Sequence, residues 1–186
     1  MRLFVAIDIE PHVRIRLKQI QNRLGQELDL SGKNVKWIPP DQVHLTLKFL
    51  GQVDDSSLTQ VCDIVKRTAS EFDRFDFEVK GLGVFGRPAR VVWAGISNCP
   101  GMMALQASLE DEFIRHDWPT ENRPFAGHLT VCRVKHVSAG RKLAEAVRSY
   151  EDESFGLVHA KEVVLYQSQL TSAGPVYNAV CRAALR

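Results

Sequence analysis

The sequence predicts an α+β fold made of two similar halves, and three observations predict it. Strand-like and helix-like segments alternate along the whole chain. The order strand, helix, histidine-bearing strand, helix, strand occurs twice. The two halves also share a tetrapeptide frame, His44-Leu45-Thr46-Leu47 and His128-Leu129-Thr130-Val131. The first strands begin 88 residues apart (Arg2 to Arg90) and the histidines stand 84 apart, a period too long for a solenoid unit. A duplication fits it, because each half has few strands and gains by packing on the other. One two-lobed domain is therefore expected over residues 1–186, with repeats at about 2–85 and 90–170.

Taken in order, Arg2–Ile9 is short, apolar and β-branched, and reads as a strand. Pro11 opens a helix with Val13, Leu17, Ile20 and Leu24 at helical spacing, ending near Gly25. A loop follows through Ser31-Gly32-Lys33 and Pro39-Pro40. Gln42–Leu50 alternates as a strand and stops at Gly51. Leu58–Ala69 reads as a helix, and Phe75–Phe85 as a strand broken by Gly81 and Gly83. The second half begins with the strand at Arg90, and Pro100 opens a helix carrying Met103, Leu105, Leu109 and Phe113. A polar loop over Pro119–Pro124 leads to the strand His128–Val134, a helix over Arg141–Tyr150, and strands at Ala160–Leu170 and Val176–Leu185.

Composition narrows the function. Hydrophobic residues make up 45% and charged residues 25%, which excludes a mainly disordered, collagen-like or coiled-coil chain. With 24 Lys and Arg against 22 Asp and Glu, the net charge of +2 makes no case for tight non-specific duplex binding. A local basic groove stays open, since net charge says nothing of clustering. No stretch approaches the roughly 20 apolar residues of a membrane span, and the opening apolar run, Leu3 to Ile7, is too short for a secretory signal. A cytosolic protein without a membrane role is expected. Cys62, Cys99, Cys132 and Cys181 have spacings that match no zinc motif and read as reduced thiols.

The repeated tetrapeptide carries chemistry. On a strand, residues two apart share a face, so His44 and Thr46 share one face and His128 and Thr130 share another. The leucines and valines between them face the other way. A two-fold relation of the halves would bring two imidazoles and two hydroxyls together. One imidazole can take a proton from a nucleophile while the other gives one to a leaving oxygen. The hydroxyls can donate to non-bridging phosphate oxygens, and no metal or cofactor is needed.

These residues resemble a known family. HLTLKFLG and HLTVCRV resemble the two His-x-Thr motifs of the 2H phosphoesterases. The chain most resembles the bacterial and archaeal RNA 2',3'-cyclic phosphodiesterases, also called 2'-5' RNA ligases. Trp37–Gly51, Gly83–Gly95, Arg123–Val134 and Leu165–Val180 carry the likeness, which covers nearly the whole chain. It implies a bilobal α+β fold, with two antiparallel sheets flanked by helices around a central groove. It also implies metal-independent hydrolysis of RNA 2',3'-cyclic phosphates to 2'-phosphates. In that reading His44 is the proton donor to O3' and His128 the proton acceptor, although the near-symmetry of the site leaves their order open. Arg133 matches the family's arginine five residues after the second histidine, where its forked donors could bind phosphate. Strict alternation turns it to the wrong face, so a bulge or the strand end has to redirect it. The partners implied are RNA ends bearing 2',3'-cyclic phosphates, such as those of tRNA halves, or small cyclic nucleotides. A monomer suffices.

Other residues have a structural and a functional reading. His12, His116, His136 and His159 lie outside the repeated frame and read as surface or helix-end residues. Two facing histidines could hold zinc, but no third ligand stands beside them. Lys48 shares the His44 face by parity, and reads either as a rim residue meeting phosphate or as a solvated strand end. Phe49, Phe125 and Trp37 could stack a nucleobase, with core packing favoured. Lys33, Lys36, Arg87 and Arg90 could line a basic rim. Ser168 and Tyr177 read as structural, and Cys132 has no catalytic reading. Three functions compete with hydrolysis: 2'-5' ligation at the same site, a small-molecule cyclic phosphate substrate, and a nucleotide- or RNA-binding module without turnover.

Overall fold

A computed structural model describes every residue except 122 and 173. The elements run β1 (Arg2–Asp8), α1 (Pro11–Glu27), β2 (Val35–Trp37), β3 (His44–Gln52), α2 (Leu58–Ser70), β4 (Phe75–Phe85) and β5 (Val91–Ile96). They continue with α3 (Pro100–Arg115), β6 (His128–Val134), α4 (Val137–Ala146), β7 (Ser154–Ala160), β8 (Glu162–Thr171) and β9 (Gly174–Ala184). The fold is α+β and bilobal, with one antiparallel sheet in the order β3-β1-β8-β9 and another in the order β2-β6-β5-β4-β7.

Local sequence explains most of this. β1 lies between two partners and buries every residue from Leu3 to Ile7, hence its unbroken apolar run. Proline at the start of α1 and of α3 fits the first helical turn, where a missing N–H costs nothing. The α1 stripe Val13, Leu17, Ile20 and Leu24 is buried, as its spacing predicts. Three elements differ from expectation. β2 is three residues long and β7 is interrupted by Gly156, so neither shows a readable period. α4 starts at Val137 and ends at Ala146, with a 3-10 turn over Val147–Tyr150. Gly140 weakened its helical signal, yet Gly140 is what admits the Ala89 backbone: a Cβ there would overlap the Ala89 carbonyl.

The sheets do not follow the halves of the chain. β3-β1-β8-β9 has the same plan as β6-β5-β4-β7, with β1 matching β5, β3 matching β6, β8 matching β4 and β9 matching β7. The partner of β1 on its inner side, β8, comes from the far end of the chain, and the partner of β5, β4, comes from before it. The helices cross over too. α1 packs on β6 and β7, and α3 packs on β3. β2 is an extra strand on the outside of β6, without a counterpart in the other sheet. No helix among the described residues is long and apolar enough to cross a membrane.

Candidate active site

His44 and His128 are the first residues of β3 and β6, and both are half-buried. Each imidazole makes the same contact with its own backbone. His44 Nδ1 lies 2.8 Å from the Gln42 carbonyl oxygen, and His128 Nδ1 lies 2.7 Å from that of Ala126. A carbonyl oxygen only accepts, so Nδ1–H donates in both rings and Nε2 carries the lone pair of the neutral imidazole. Sequence offered no signal for this, because any residue two places upstream supplies a carbonyl.

Both strands then break their alternation at the same place. In β3, Thr46 pairs with Ala6 and Lys48 with Val5, so Leu47 is an extra residue. In β6, Thr130 pairs with Trp93 and Cys132 with Val92, so Val131 is extra. Each bulge falls directly after the threonine and reverses the faces that follow. His44, Thr46 and Phe49 therefore open to one side while Leu47 and Lys48 are buried. His128, Thr130 and Arg133 do the same while Val131 and Cys132 are buried. The bulge that Arg133 requires is present, and Phe49 holds the matching position in the other half.

The two strands are brought together by the chain between β2 and β3. β2 pairs with β6, Trp37 opposite Cys132. The Ile38 N–H then donates to the carbonyl of the bulge residue Val131 at 3.0 Å. Buried Gln21 of α1 clamps the junction, its Nε2 donating to Ile38 at 2.7 Å and to Val131 at 3.0 Å. From there Pro39-Pro40 turn the chain into β3, which packs against β6. Gln42 Nε2 donates to the Pro175 carbonyl at 3.1 Å and holds β9 beside the same corner.

The surroundings of the histidines differ. The His44 ring stacks on Phe4 at 4.8 Å and meets Tyr177 edge-on at 5.1 Å. Burial lowers its pKa below 6.5, opposed by the Gln42 hydrogen bond and the nearby Asp8 charge. Among the described residues the one ring that meets His128 is Phe85, edge-on at 4.9 Å, and Phe85 is itself 40% exposed. Tyr166 donates to Asp8 Oδ1 at 2.6 Å, and burial together with that bond raises its phenol pKa. Burial also raises Tyr177, and the Arg133 charge partly offsets the rise. The charge of Arg133, on β6, thus acts on a residue of the other sheet that touches His44. Phe4, Phe85, Asp8 and Tyr166 were not visible as site residues in the sequence, and Tyr177, expected to be structural, lies against a site imidazole.

The expectations for Lys48 and Phe49 are corrected. Lys48 does not reach the groove: it is 1% exposed, pairs with Glu110 Oε2 at 2.7 Å and donates to the Pro119 carbonyl at 3.0 Å. The bulge at Leu47 turned it inward. Phe49, expected in the core, is 59% exposed for the same reason. Trp37 and Phe125 pack half-buried against the core. His12 and His159 are exposed beside Glu10 and Asp76, His136 is an exposed helix cap, and His116 is bonded to the Glu112 carbonyl. Burial pushes the Cys132 thiol up to about 12. Among the described residues no three His, Cys, Asp or Glu side chains come together as a metal ligand set.

Comparison with known proteins bears on what this arrangement does. A family model described as "LigT like Phosphoesterase" matches residues 7–93 and 97–177. The RNA 2',3'-cyclic phosphodiesterase of Methanothermobacter thermautotrophicus is 35% identical, over 96% of this chain and 95% of that protein. That of Archaeoglobus fulgidus is 34% identical, over 96% and 97%. Among solved structures, a protein of Thermus thermophilus superposes with a TM-score of 0.83 at 26% identity, over 100% of this chain and 98% of that one. E. coli LigT complexed with NADP+ superposes at 0.77 and 26% identity, over 99% and 97%.

Proposed function

The chain belongs to the family of LigT like phosphoesterases, and from that premise we propose that it hydrolyses RNA 2',3'-cyclic phosphate ends to 2'-phosphomonoesters without a metal. The relatives of 35% and 34% identity are named RNA 2',3'-cyclic phosphodiesterases, which supports the substrate and the bond cleaved. One observation carries the mechanism: two imidazoles on matching strands, each with Nδ1 tied to its own backbone and Nε2 free to exchange a proton.

Water attacks phosphorus in line with the P–O3' bond. Neutral His128 takes the water proton on Nε2 as the new P–O bond forms. His44, entering as the imidazolium, gives its Nε2 proton to O3' as that bond breaks. The product has a 2'-phosphate and a free 3'-hydroxyl, and solvent restores both protonation states. Thr46 and Thr130 donate to the non-bridging oxygens, and the Arg133 fork neutralises charge there. Exposed Phe49 offers its ring to the terminal base.

The test is a short RNA ending in a 2',3'-cyclic phosphate, incubated with EDTA, with the phosphate position of the product identified. Conversion to a 2'-phosphate is the expected result, and binding without conversion overturns the reading. His44→Ala and His128→Ala should each lower kcat by at least about 100-fold, the scale of a lost general acid or base. A nitrophenyl phosphodiester, whose leaving group needs no proton, should restore turnover to His44→Ala and not to His128→Ala. The opposite pattern reverses the two roles.

A further inference from the structure

The two sheets are not symmetric beyond the histidines. The sheet that carries His128 has an extra strand, β2, while β3 is the outermost strand of its own sheet. β2 places Lys36 directly opposite Arg133. Directly opposed residues of antiparallel strands project to one face, with Cβ atoms about 5 Å apart, and like charges there repel. Both side chains are exposed, and among the described residues neither has a carboxylate within ion-pair distance. The bulge at Val131 sets Arg133 on the face of His128 and Thr130, so Lys36 stands on that face too. The Lys36 ammonium reaches toward the other sheet. A methyl group on Gly174, at the start of β9 in the other sheet, would touch its Nζ at 3.3 Å.

Two unpaired cations held side by side are relieved by an anion. In the functional reading above, Arg133 serves the reacting phosphate together with the two threonines. Lys36 lies one strand outward of β6, which carries Arg133 and His128, and a second phosphate would satisfy it. A nucleoside 2',3'-cyclic phosphate has no second phosphate, whereas an RNA chain has one at the 5' oxygen of its last nucleotide. Resting on the functional reading above, we propose that Lys36, beside Arg133, is a subsite for the phosphodiester that precedes the terminal nucleotide, and that this one residue makes an RNA end a better substrate than a free cyclic nucleotide.

The experiment compares three substrates: a nucleoside 2',3'-cyclic phosphate, its 5'-phosphorylated form, and the dinucleotide ending in the same cyclic phosphate. The expected kcat/KM for the dinucleotide is about ten-fold above that of the nucleoside, the effect of one charge-assisted hydrogen bond at an exposed site. Lys36→Ala should abolish this preference and leave the nucleoside within about two-fold of its original rate, while Lys36→Arg keeps the preference. Added salt should erode the preference in the parent protein and not in Lys36→Ala. A 5'-phosphorylated nucleoside matching the dinucleotide shows that phosphate alone fills the subsite. One matching the bare nucleoside while the dinucleotide is still preferred assigns the preference to the added nucleotide and not to the phosphate, and overturns the proposal. Equal rates on all three substrates in the parent protein overturn it, as does an equal loss on all three in Lys36→Ala, which would mark Lys36 as a latch on β9. If no substrate turns over, the functional reading fails, and titration with the same three compounds decides the subsite by the same comparison.

Discussion

At the scale of single residues, the site is set by what each imidazole rests against. The carbonyls of Gln42 and Ala126 give both rings the same tautomer, so the two Nε2 atoms are chemically alike in name only. Phe4 and Tyr177 enclose the His44 ring, and loss of water favours its neutral form. One limb of the kcat/KM profile against pH should therefore lie below 6.5, the ordinary histidine value. A bound cyclic phosphate is an anion and favours the imidazolium, so the same limb should move to higher pH in the kcat profile. Tyr177→Ala admits water to His44 and should carry the kcat/KM limb up toward 6.5. A limb that does not move in that variant would separate His44 from the ionisation that controls the rate.

At the scale of elements, a single extra residue in each motif strand does most of the positioning. Without the bulge at Val131, Arg133 would face the core and Cys132 the groove; without that at Leu47, Lys48 and Phe49 would exchange places. The Val131 bulge is held by the Ile38 N–H and by Gln21, a buried polar residue whose amide spans two elements. Gln21→Leu keeps the volume but withdraws two hydrogen bonds from buried carbonyls. It should cost about 1–3 kcal/mol of stability, read as a Tm lower by several degrees. With the bulge loosened, KM should rise more than kcat falls. An unchanged Tm would show that Ile38 alone suffices to hold the bulge.

At the scale of the molecule, the two sheets are interleaved and not stacked end to end. β8 and β9 complete the sheet begun by β1 and β3, and β4 completes the sheet built on β5 and β6. Neither half of the chain contains a finished sheet, and α1 and α3 each bury their apolar stripes against strands of the other sheet. We expect one cooperative unfolding transition in denaturant, with fluorescence and circular dichroism coinciding. Separate fragments 1–88 and 89–186 should each remain unfolded. A fragment that folds alone would mean that its strands can pair without their distant partners.

Much of this was determined by the sequence alone. Strands and helices need local periods, and all but β2, β7 and the start of α4 had them. The His-x-Thr pairs were legible because the same frame recurs at the same point of a repeat, and strand parity puts histidine and threonine on one face whatever surrounds them. Tertiary structure decided the rest. Parity fails beyond the threonines because an extra residue has no local signature: it exists only relative to the neighbouring strand. So Lys48 became a core ion pair, Phe49 a surface ring, and Arg133 an exposed residue on the face of His128 and Thr130. The aromatic wall of His44 comes from β1, β8 and β9, elements at opposite ends of the chain. The like-charged pair of Lys36 and Arg133 likewise exists only because β2 pairs with β6. Local sequence determines which way a side chain points along its own strand. Only long-range pairing determines what it meets there.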